Sequence, residues 1–290
     1  MGKTGLVLEG GAMRGLFSAG ILDVLMEEGI RTDRLIGVSA GAVFGCNYKS
    51  GQIGRVLRYT LRFCRDPRYC SWRSWLKTGD LYGAEFCYHE LPDRLDIFDR
   101  ESFERDPLEF YLVCTDVATG EALYRRCEAA DPECFEWMRA SASMPLVARM
   151  VDVGGGKYLD GAIADSIPLR FMENTGCSRN IVILTQPAGY VKRPPAVLGL
   201  LRLIYRKYPA LVRAMEQRHE RYNEEVRYAE SQAALGKVLL LRPDQVLPAG
   251  RICRDPELLK RTYELGREMA HRRLPELKAF AGAPLSGTRE

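Results

Sequence analysis

"LIGVSAGAV", residues 35–43, decides how the rest of the chain is read. An apolar pair, Leu35-Ile36, runs into Gly37-Val38-Ser39-Ala40-Gly41, a G-x-S-x-G pattern. Where a strand turns sharply into a helix, that pattern exposes its serine as a nucleophile elbow. The same residue types also make ordinary turns. The flanks favour the elbow, with "RLIGVS" (34–39) as a strand and "AGAVFGCNYKSG" (40–51) as a helix. Toward the N-terminus, "TGLVLE" (4–9) is a second strand, ending in the glycines of "GGAMRG" (10–15). The helix that follows carries Leu16, Ala19, Gly20, Val24 and Leu25 near helical spacing, with Gly29 as its stop. Strand–helix–strand–helix is a βαβ unit, which implies parallel strands and a right-handed crossover.

Toward the C-terminus, further strands are expected at 110–117, 122–126, 158–162, 180–186 and 237–243. Helices are expected at 82–93, 133–142, 166–175, 197–232 and 255–280. "GYVKRPPAVLG" (189–199), with its two prolines, reads as a linker. The chain then divides into residues 1–190, holding the motifs, and a mostly helical extension, 191–290. "KVLLLRP" (237–243) is apolar enough to rejoin the sheet, which would pack the extension onto the first segment.

The 290 residues suffice for one large or two small domains with a substantial core. A hydrophobic content of 46% and a net charge of +4 describe an ordinary globular protein and give no overall support for nucleic-acid binding. Nine cysteines at irregular spacing, with no C-x-x-C, suggest neither a disulfide framework nor a zinc site, and fit a reducing cytoplasm. The N-terminus reads as neither a signal peptide nor a myristoylation site, and no apolar run approaches the roughly 20 residues of a membrane span. Work on a membrane would therefore proceed from its surface. Residues 55–77 hold seven basic residues against Asp66 alone, with Tyr59, Phe63, Tyr69, Trp72 and Trp75 interleaved. Residues 192–218 hold seven against Glu216, with an apolar face of Leu198, Leu201, Ile204, Tyr205 and Tyr208. Each reads either as a solvated helix face or as a surface for anionic lipid.

If Ser39 attacks, something must accept its proton. "GGAMRG" fails as a dinucleotide fingerprint because position 12 is alanine, and no Walker A loop is present. It can instead supply backbone N–H groups to an oxyanion, since glycine lets the backbone approach a substrate closely. Of the histidines, His89, His219 and His271, the last two lie in charged helical stretches and read most simply as solvated. The order Ser39, Asp160, His219 would nonetheless satisfy a triad. Asp160 ends the apolar strand of "GGGKYLDGA" (154–162), which would put its carboxylate at the sheet edge as a general base.

Four segments, in order, resemble those of the patatin-like phospholipases: "GGAMRG", "GVSAG", "ASASMP" (140–145) and "DGA" (160–162). The resemblance spans about residues 5–185 and is most similar to the bacterial branch with a helical C-terminal extension. It implies a three-layer α/β/α sandwich with a mostly parallel central sheet. It implies Ser39 as nucleophile and Asp160 as its dyad base, with Gly161 and Ala162 completing that motif. Gly10, Gly11, Ala12, Arg14 and Gly15 would form the oxyanion loop, and Gly37 and Gly41 the elbow. Arg14 would steady the loop or contact a phosphate. The implied substrate is a lipid ester, most simply a phospholipid, with no metal or organic cofactor. The motifs do not separate this from a carboxylesterase or thioesterase on soluble acyl substrates, or from a regulatory protein with an unused site. The family loop has a third glycine where this chain has Ala12, and alanine is comfortable there only at negative φ.

Overall fold

The computed structural model describes residues 2–281. Met1 and residues 282–290, the outer ends of the two expected segments, lie outside the described residues. The chain opens as β1 (Lys3–Leu8), α1 (Leu16–Glu27), β2 (Arg34–Val38) and α2 (Ala40–Lys49). β1 and β2 pair in parallel, Leu6 opposite Leu35. Gly29 sits at φ +63, the left-handed stop that ends α1. Next come α3 (Arg55–Phe63), α4 (Trp72–Thr78), a π-helical segment (Phe86–Leu95), α5 (Arg100–Arg105), β3 (Glu109–Asp116), β4 (Ala122–Cys127) and α6 (Pro132–Ser141). The hairpin β5 (Val151–Val153) and β6 (Gly156–Asp160) precedes α7 (Leu169–Asn174) and β7 (Cys177–Ile183). The chain continues as α8 (Leu198–Ile204), α9 (Pro209–Ala234), β8 (Val238–Leu241), α10 (Pro256–Arg272) and α11 (Leu274–Ala281).

The strands form one sheet in the order β5-β6-β3-β2-β1-β7-β8, with β4 also on β3. β3, β2, β1, β7 and β8 run parallel, while β4, β6 and β5 pair antiparallel. Alternate side chains enter two separate cores, as the period of a strand requires. Leu6, Leu8, Leu35, Leu112, Ile181 and Leu239 pack with α1, α6 and α10 on one face. Val7, Ile36, Val38, Val182 and Val238 pack with α7 and α9 on the other. These are the three layers and the mostly parallel sheet expected from the βαβ opening. Residues 238–241 do return to the sheet, parallel to β7.

Several boundaries differ from the sequence reading. The expected helix 197–232 is two helices, because Pro209 takes the start of α9 and disfavours helical backbone at the residue before it. The helix expected at 255–280 likewise restarts, near Pro275, as α11. Pro168 delays the helix expected from 166 until Leu169. The basic stretch 55–77 holds α3 and most of α4, which ends at Thr78, and α5 and β5 fall where no element was expected.

α1 and α10 touch backbone to backbone. A Cβ on Gly20 would lie 2.1 Å from the Tyr263 carbonyl oxygen, and one on Gly266 2.0 Å from that of Phe17. Tyr263 donates its hydroxyl to Asp23 Oδ2 at 2.6 Å, and Arg267 forks onto Glu27 at 2.8 and 2.9 Å. Gly266→Ala must push the helices apart, so its unfolding free energy in urea should fall by about 1–3 kcal/mol. Stability equal to wild type would show that the two helices separate without penalty.

Candidate active site

The ends of β2 and β6 meet on one edge of β3. β4 covers the opposite edge, from Phe110 to Thr115. β2 pairs with β3 from Glu109 to Val113, and β6 with Cys114 to Asp116. Since Val113 and Thr115 each pair with β4 as well, β2 and β6 must share the remaining edge, one beyond the other. Val38 lies opposite Val113 and Asp160 opposite Cys114. β2 therefore delivers Ser39, and β6 arrives from the opposite direction to deliver Asp160. The carboxylate reaches the place expected from the sequence, but on an antiparallel strand.

Ser39 sits at φ 56, ψ −123, strained for a side-chain-bearing residue and typical of a sharp strand-to-helix turn. The flanking glycines have no room for a side chain. A Cβ on Gly37 would lie 2.4 Å from the backbone of Gly41, and one on Gly41 2.5 Å from the Leu8 carbonyl oxygen. The "ASASMP" segment, given no role from sequence, ties the two site strands together. The Ser39 N–H donates to Ser141 Oγ at 3.0 Å, and the Asp160 N–H to the Ser143 carbonyl at 2.9 Å. The cluster of small residues after a helix was the available signal, but its partners were not readable.

The glycine loop leans on the nucleophile. A Cβ on Gly10 would lie 2.8 Å from Ser39 Cβ, and one on Gly15 3.0 Å from Ala40 Cβ. Gly11 holds extended backbone at φ 172, and the Arg14 N–H closes the turn onto its carbonyl at 3.2 Å. Among the described residues, the N–H groups of Gly11 and Ala12 donate to no protein acceptor. Ala12 is at φ +49. This overturns the condition under which alanine would replace glycine comfortably, and the loop holds its methyl group in left-handed backbone. The Arg14 side chain makes no hydrogen bond to the loop, and its Nε is buried without a partner.

Asp160 is fully buried. Its Oδ1 accepts the Ala162 N–H at 2.8 Å, while Oδ2 has no well-formed hydrogen bond. Burial raises its pKa above the ordinary carboxylate value, opposed by the Arg218 charge, the neighbouring Ser39 hydroxyl and the Ala162 N–H. Gly161 passes so close to β3 that a Cβ would lie 2.2 Å from the Val113 carbonyl oxygen. His89 pairs with Glu136 at 3.1 Å, and His271 is exposed. His219 corrects the sequence reading: it is half-buried and lines the cavity, because α9 lies across the Asp160 turn. Its Nδ1 is 2.9 Å from the Glu216 carbonyl, and it makes no hydrogen bond to Ser39 or Asp160.

Ser39, Asp160 and the glycine loop open on one cavity of about 570 Å³. Phe44, Leu91, Met138, Leu146, Leu201 and Met215 give it an apolar wall suited to an acyl chain. A serine elbow, a glycine loop with free N–H groups and a buried carboxylate on one cavity is the layout of a serine esterase.

Comparison with known proteins gives the same class. The description "Patatin-like phospholipase" matches residues 6–172, and "Domain of unknown function (DUF6363)" matches residues 208–282. The chain belongs to the patatin-like phospholipase family, whose members hydrolyse carboxylic ester bonds of lipids. It is 25% identical to the uncharacterized protein YjjU of Escherichia coli K12, over 92% of this chain and 75% of that protein. It is 27% identical to the patatin-like phospholipase domain-containing protein ZK370.4 of Caenorhabditis elegans, over 59% of this chain and 13% of that one. It is 29% identical to lysophospholipase NTE1 of Candida glabrata, over 60% of this chain and 10% of that one. The chain thus spans three quarters of the first relative and a small part of the other two.

Left-handed backbone penalises a Cβ by roughly 1–2 kcal/mol, and the greater freedom of unfolded glycine offsets part of its removal. Ala12→Gly should therefore raise the unfolding free energy by up to about 1 kcal/mol. A loss of stability in urea titrations would show that the loop carries no such strain.

Proposed function

We propose that the protein is a phospholipase A-type serine acyl hydrolase working through a Ser39–Asp160 dyad. The observation that carries this reading is the unpartnered Oδ2 of buried Asp160, held beside the Ser39 hydroxyl where β2 and β6 meet. Ser39 Oγ attacks the ester carbonyl and Asp160 Oδ2 takes its proton. The raised pKa of Asp160 makes its carboxylate a stronger base than an exposed one. Charge developing on the carbonyl oxygen falls to the free N–H groups of Gly11 and Ala12. Removal of one such donor costs about 3–4 kcal/mol in a known case. Asp160 returns the proton to the leaving alcohol, and water then cleaves the acyl-enzyme by the same steps. Residues 1–190 act as the catalytic segment and 191–290 as its extension, which contributes Lys192, Leu201, Met215 and Arg218 to the cavity wall.

The enzyme acts, in this reading, at a membrane surface. Leu146 links two helices near the cavity: Trp75 of α4 donates its Nε1 to the Leu146 carbonyl at 2.9 Å, and the Leu146 N–H donates to the Tyr205 hydroxyl, just past α8, at 3.2 Å. α4 exposes Trp72 and Leu76, and α8 exposes Leu200, Leu203 and Ile204. Arg73, Lys77, Arg206 and Lys207 stand among them, exposed and without ion pairs among the described residues. Each basic side chain near an anionic surface contributes about 1 kcal/mol. No described helix is long and apolar enough to cross a membrane. Nine unpaired cysteines fit the cytoplasmic side.

A fluorophosphonate probe should label wild type but not Ser39→Ala. Asp160→Asn should lose hydrolysis while staying folded. The folded-state pKa of Asp160 lies above its unfolded value, so stability falls as pH rises from the unfolded pKa to the folded one and stays lowered above it, and asparagine removes that penalty. Because the base must be ionised, kcat/KM should fall with acidity along a limb centred above pH 3.8. Activity retained in Asp160→Asn but lost in His219→Ala would falsify the dyad.

The surface reading is tested separately, by sedimentation with vesicles. Phosphatidylglycerol vesicles should carry the protein down at low salt, and neutral phosphatidylcholine vesicles should not. Binding of Trp72→Ala/Leu76→Ala equal to wild type would remove α4 from the contact.

A further inference from the structure

The cavity wall carries more positive charge than the proposed dyad uses. Arg14 of the glycine loop, Lys192 before α8, Arg218 of α9 and Arg251 before α10 all line it. They are close enough to perturb one another. Burial, then the charges of Arg218 and Arg251, push Lys192 down to about 7, and Arg251 adds to the lowering of Arg14 by burial. None of the four has a carboxylate within ion-pair distance among the described residues.

The neighbouring acids are already engaged. Glu9 accepts the Thr185 N–H at 2.6 Å and the Tyr222 hydroxyl at 3.0 Å. Glu225 accepts the N–H groups of Ser166 and Ile167, each at 3.1 Å, and burial holds it toward its neutral form. Arg218, Lys192 and the backbone of Arg251 are nevertheless held in place, while Arg251 itself is exposed. Arg218 Nε donates to the Ala162 carbonyl at 2.6 Å. Lys192 Nζ lies 3.7 Å from the Tyr222 ring centroid and makes no hydrogen bond among the described residues. The Arg251 carbonyl accepts the Tyr82 hydroxyl at 3.1 Å and the Met13 N–H at 3.5 Å, which anchors its loop to the glycine loop. Arg14 adds the buried, unpartnered Nε.

Stabilising Asp160 accounts for Arg218, which leads the charges favouring its carboxylate. It leaves Arg14, Lys192 and Arg251 without an ion pair among the described residues: Glu9 acts on Arg14 and Lys192 only through space, its own oxygens being engaged elsewhere, and like charges gathered on one wall are costly unless an anion joins them. We propose that Arg14, Lys192, Arg218 and Arg251 form an anion subsite that takes the phosphate of a phosphate-bearing acyl ester, aligning its carbonyl on Ser39. This rests on the reading of Ser39 as nucleophile. Guanidinium and ammonium groups suit phosphate oxygens. The subsite adjoins the glycine loop, so the phosphate and the scissile ester must lie a few bonds apart, as they do when both are carried by one glycerol. The apolar wall takes the chain.

The test compares kcat/KM of the full chain on 1-palmitoyl-lysophosphatidylcholine and on 1-palmitoylglycerol, in micelles of one neutral detergent. Wild type should favour the phosphodiester at least tenfold. Lys192→Met and Arg251→Met should each lower that ratio about tenfold, the value of a hydrogen bond to a charged group, and Lys192→Arg should restore it. Added glycerol 3-phosphate should compete in wild type and far less in the double methionine variant. Equal rates on both lipids in wild type, or an unchanged ratio in both variants, overturn the proposal. Inorganic phosphate that binds as well as glycerol 3-phosphate and accelerates 1-palmitoylglycerol hydrolysis would assign the site to free phosphate instead. If no ester is cleaved and Ser39 takes no fluorophosphonate, the hydrolase reading is what fails. Calorimetric titration with glycerol 3-phosphate then decides the subsite, with binding lost in the double variant supporting it and no binding to wild type overturning it.

Discussion

One edge of β3 has room for a single strand at each level, and two strands end there. β2 fills it as far as Val113 and β6 takes it over from Cys114. The proposed chemistry follows from that handover. Two side chains far apart in the sequence come together because the backbone bonds of β3 leave their strands nowhere else to stop. Backbone pairing is an obligation of buried N–H and carbonyl groups. The approach of Ser39 to Asp160 is therefore as rigid as the sheet itself. The tight glycines follow from the same crowding: Gly161 presses on the Val113 carbonyl, Gly41 on that of Leu8, and Gly10 on Ser39.

Such rigidity allows the site to hold groups that are individually unfavourable. Ser39 and Ala12 occupy left-handed backbone. Asp160 keeps a buried carboxylate oxygen without a good partner. Strain of this kind persists only where the surroundings over-determine it. Here the surroundings are the sheet below and the Ser141 and Ser143 tethers beside it. Electrostatics pull in opposite directions at the same place. Burial drives Asp160 toward neutrality and Arg218 draws it back toward the carboxylate. In the proposed dyad, this raised pKa would make the Asp160 carboxylate a stronger base than that of an exposed aspartate.

The parts of this arrangement that are local in sequence were legible in it. "LIGVSAGAV" and "TGLVLEGGAMRG" carry their strand, turn and helix within a few residues, and the structure places those elements within a residue or two of the reading. The direction of β6 was not legible, because "YLDGA" alternates identically whether its strand runs up or down the sheet. The helix breaks at Pro209 and near Pro275 were readable in principle, since proline favours a first turn. The apolar and basic residues around them masked the signal. The condition on Ala12 turned on a single dihedral angle, which no residue type reports. His219 shows the limit most clearly. Its neighbours are charged, as on a solvated helix, yet α9 turns that face toward the cavity.

α9 also explains why the residues after the glycine and serine motifs matter to them. It covers the face of the sheet that holds Val7, Val38 and Val113, and from that position Tyr222 reaches Glu9 and Arg218 reaches the Ala162 carbonyl. Both contacts fall on turns that follow site strands, one after β1 and one after β6. α10 grips α1, the helix that the glycine loop feeds, through the Gly20–Gly266 contact. The C-terminal helices are thus bound to both turns that shape the cavity. Loosening α9 would free the Asp160 turn and remove Arg218 from it in one motion, coupling the position of the carboxylate to the charge that favours its ionised form.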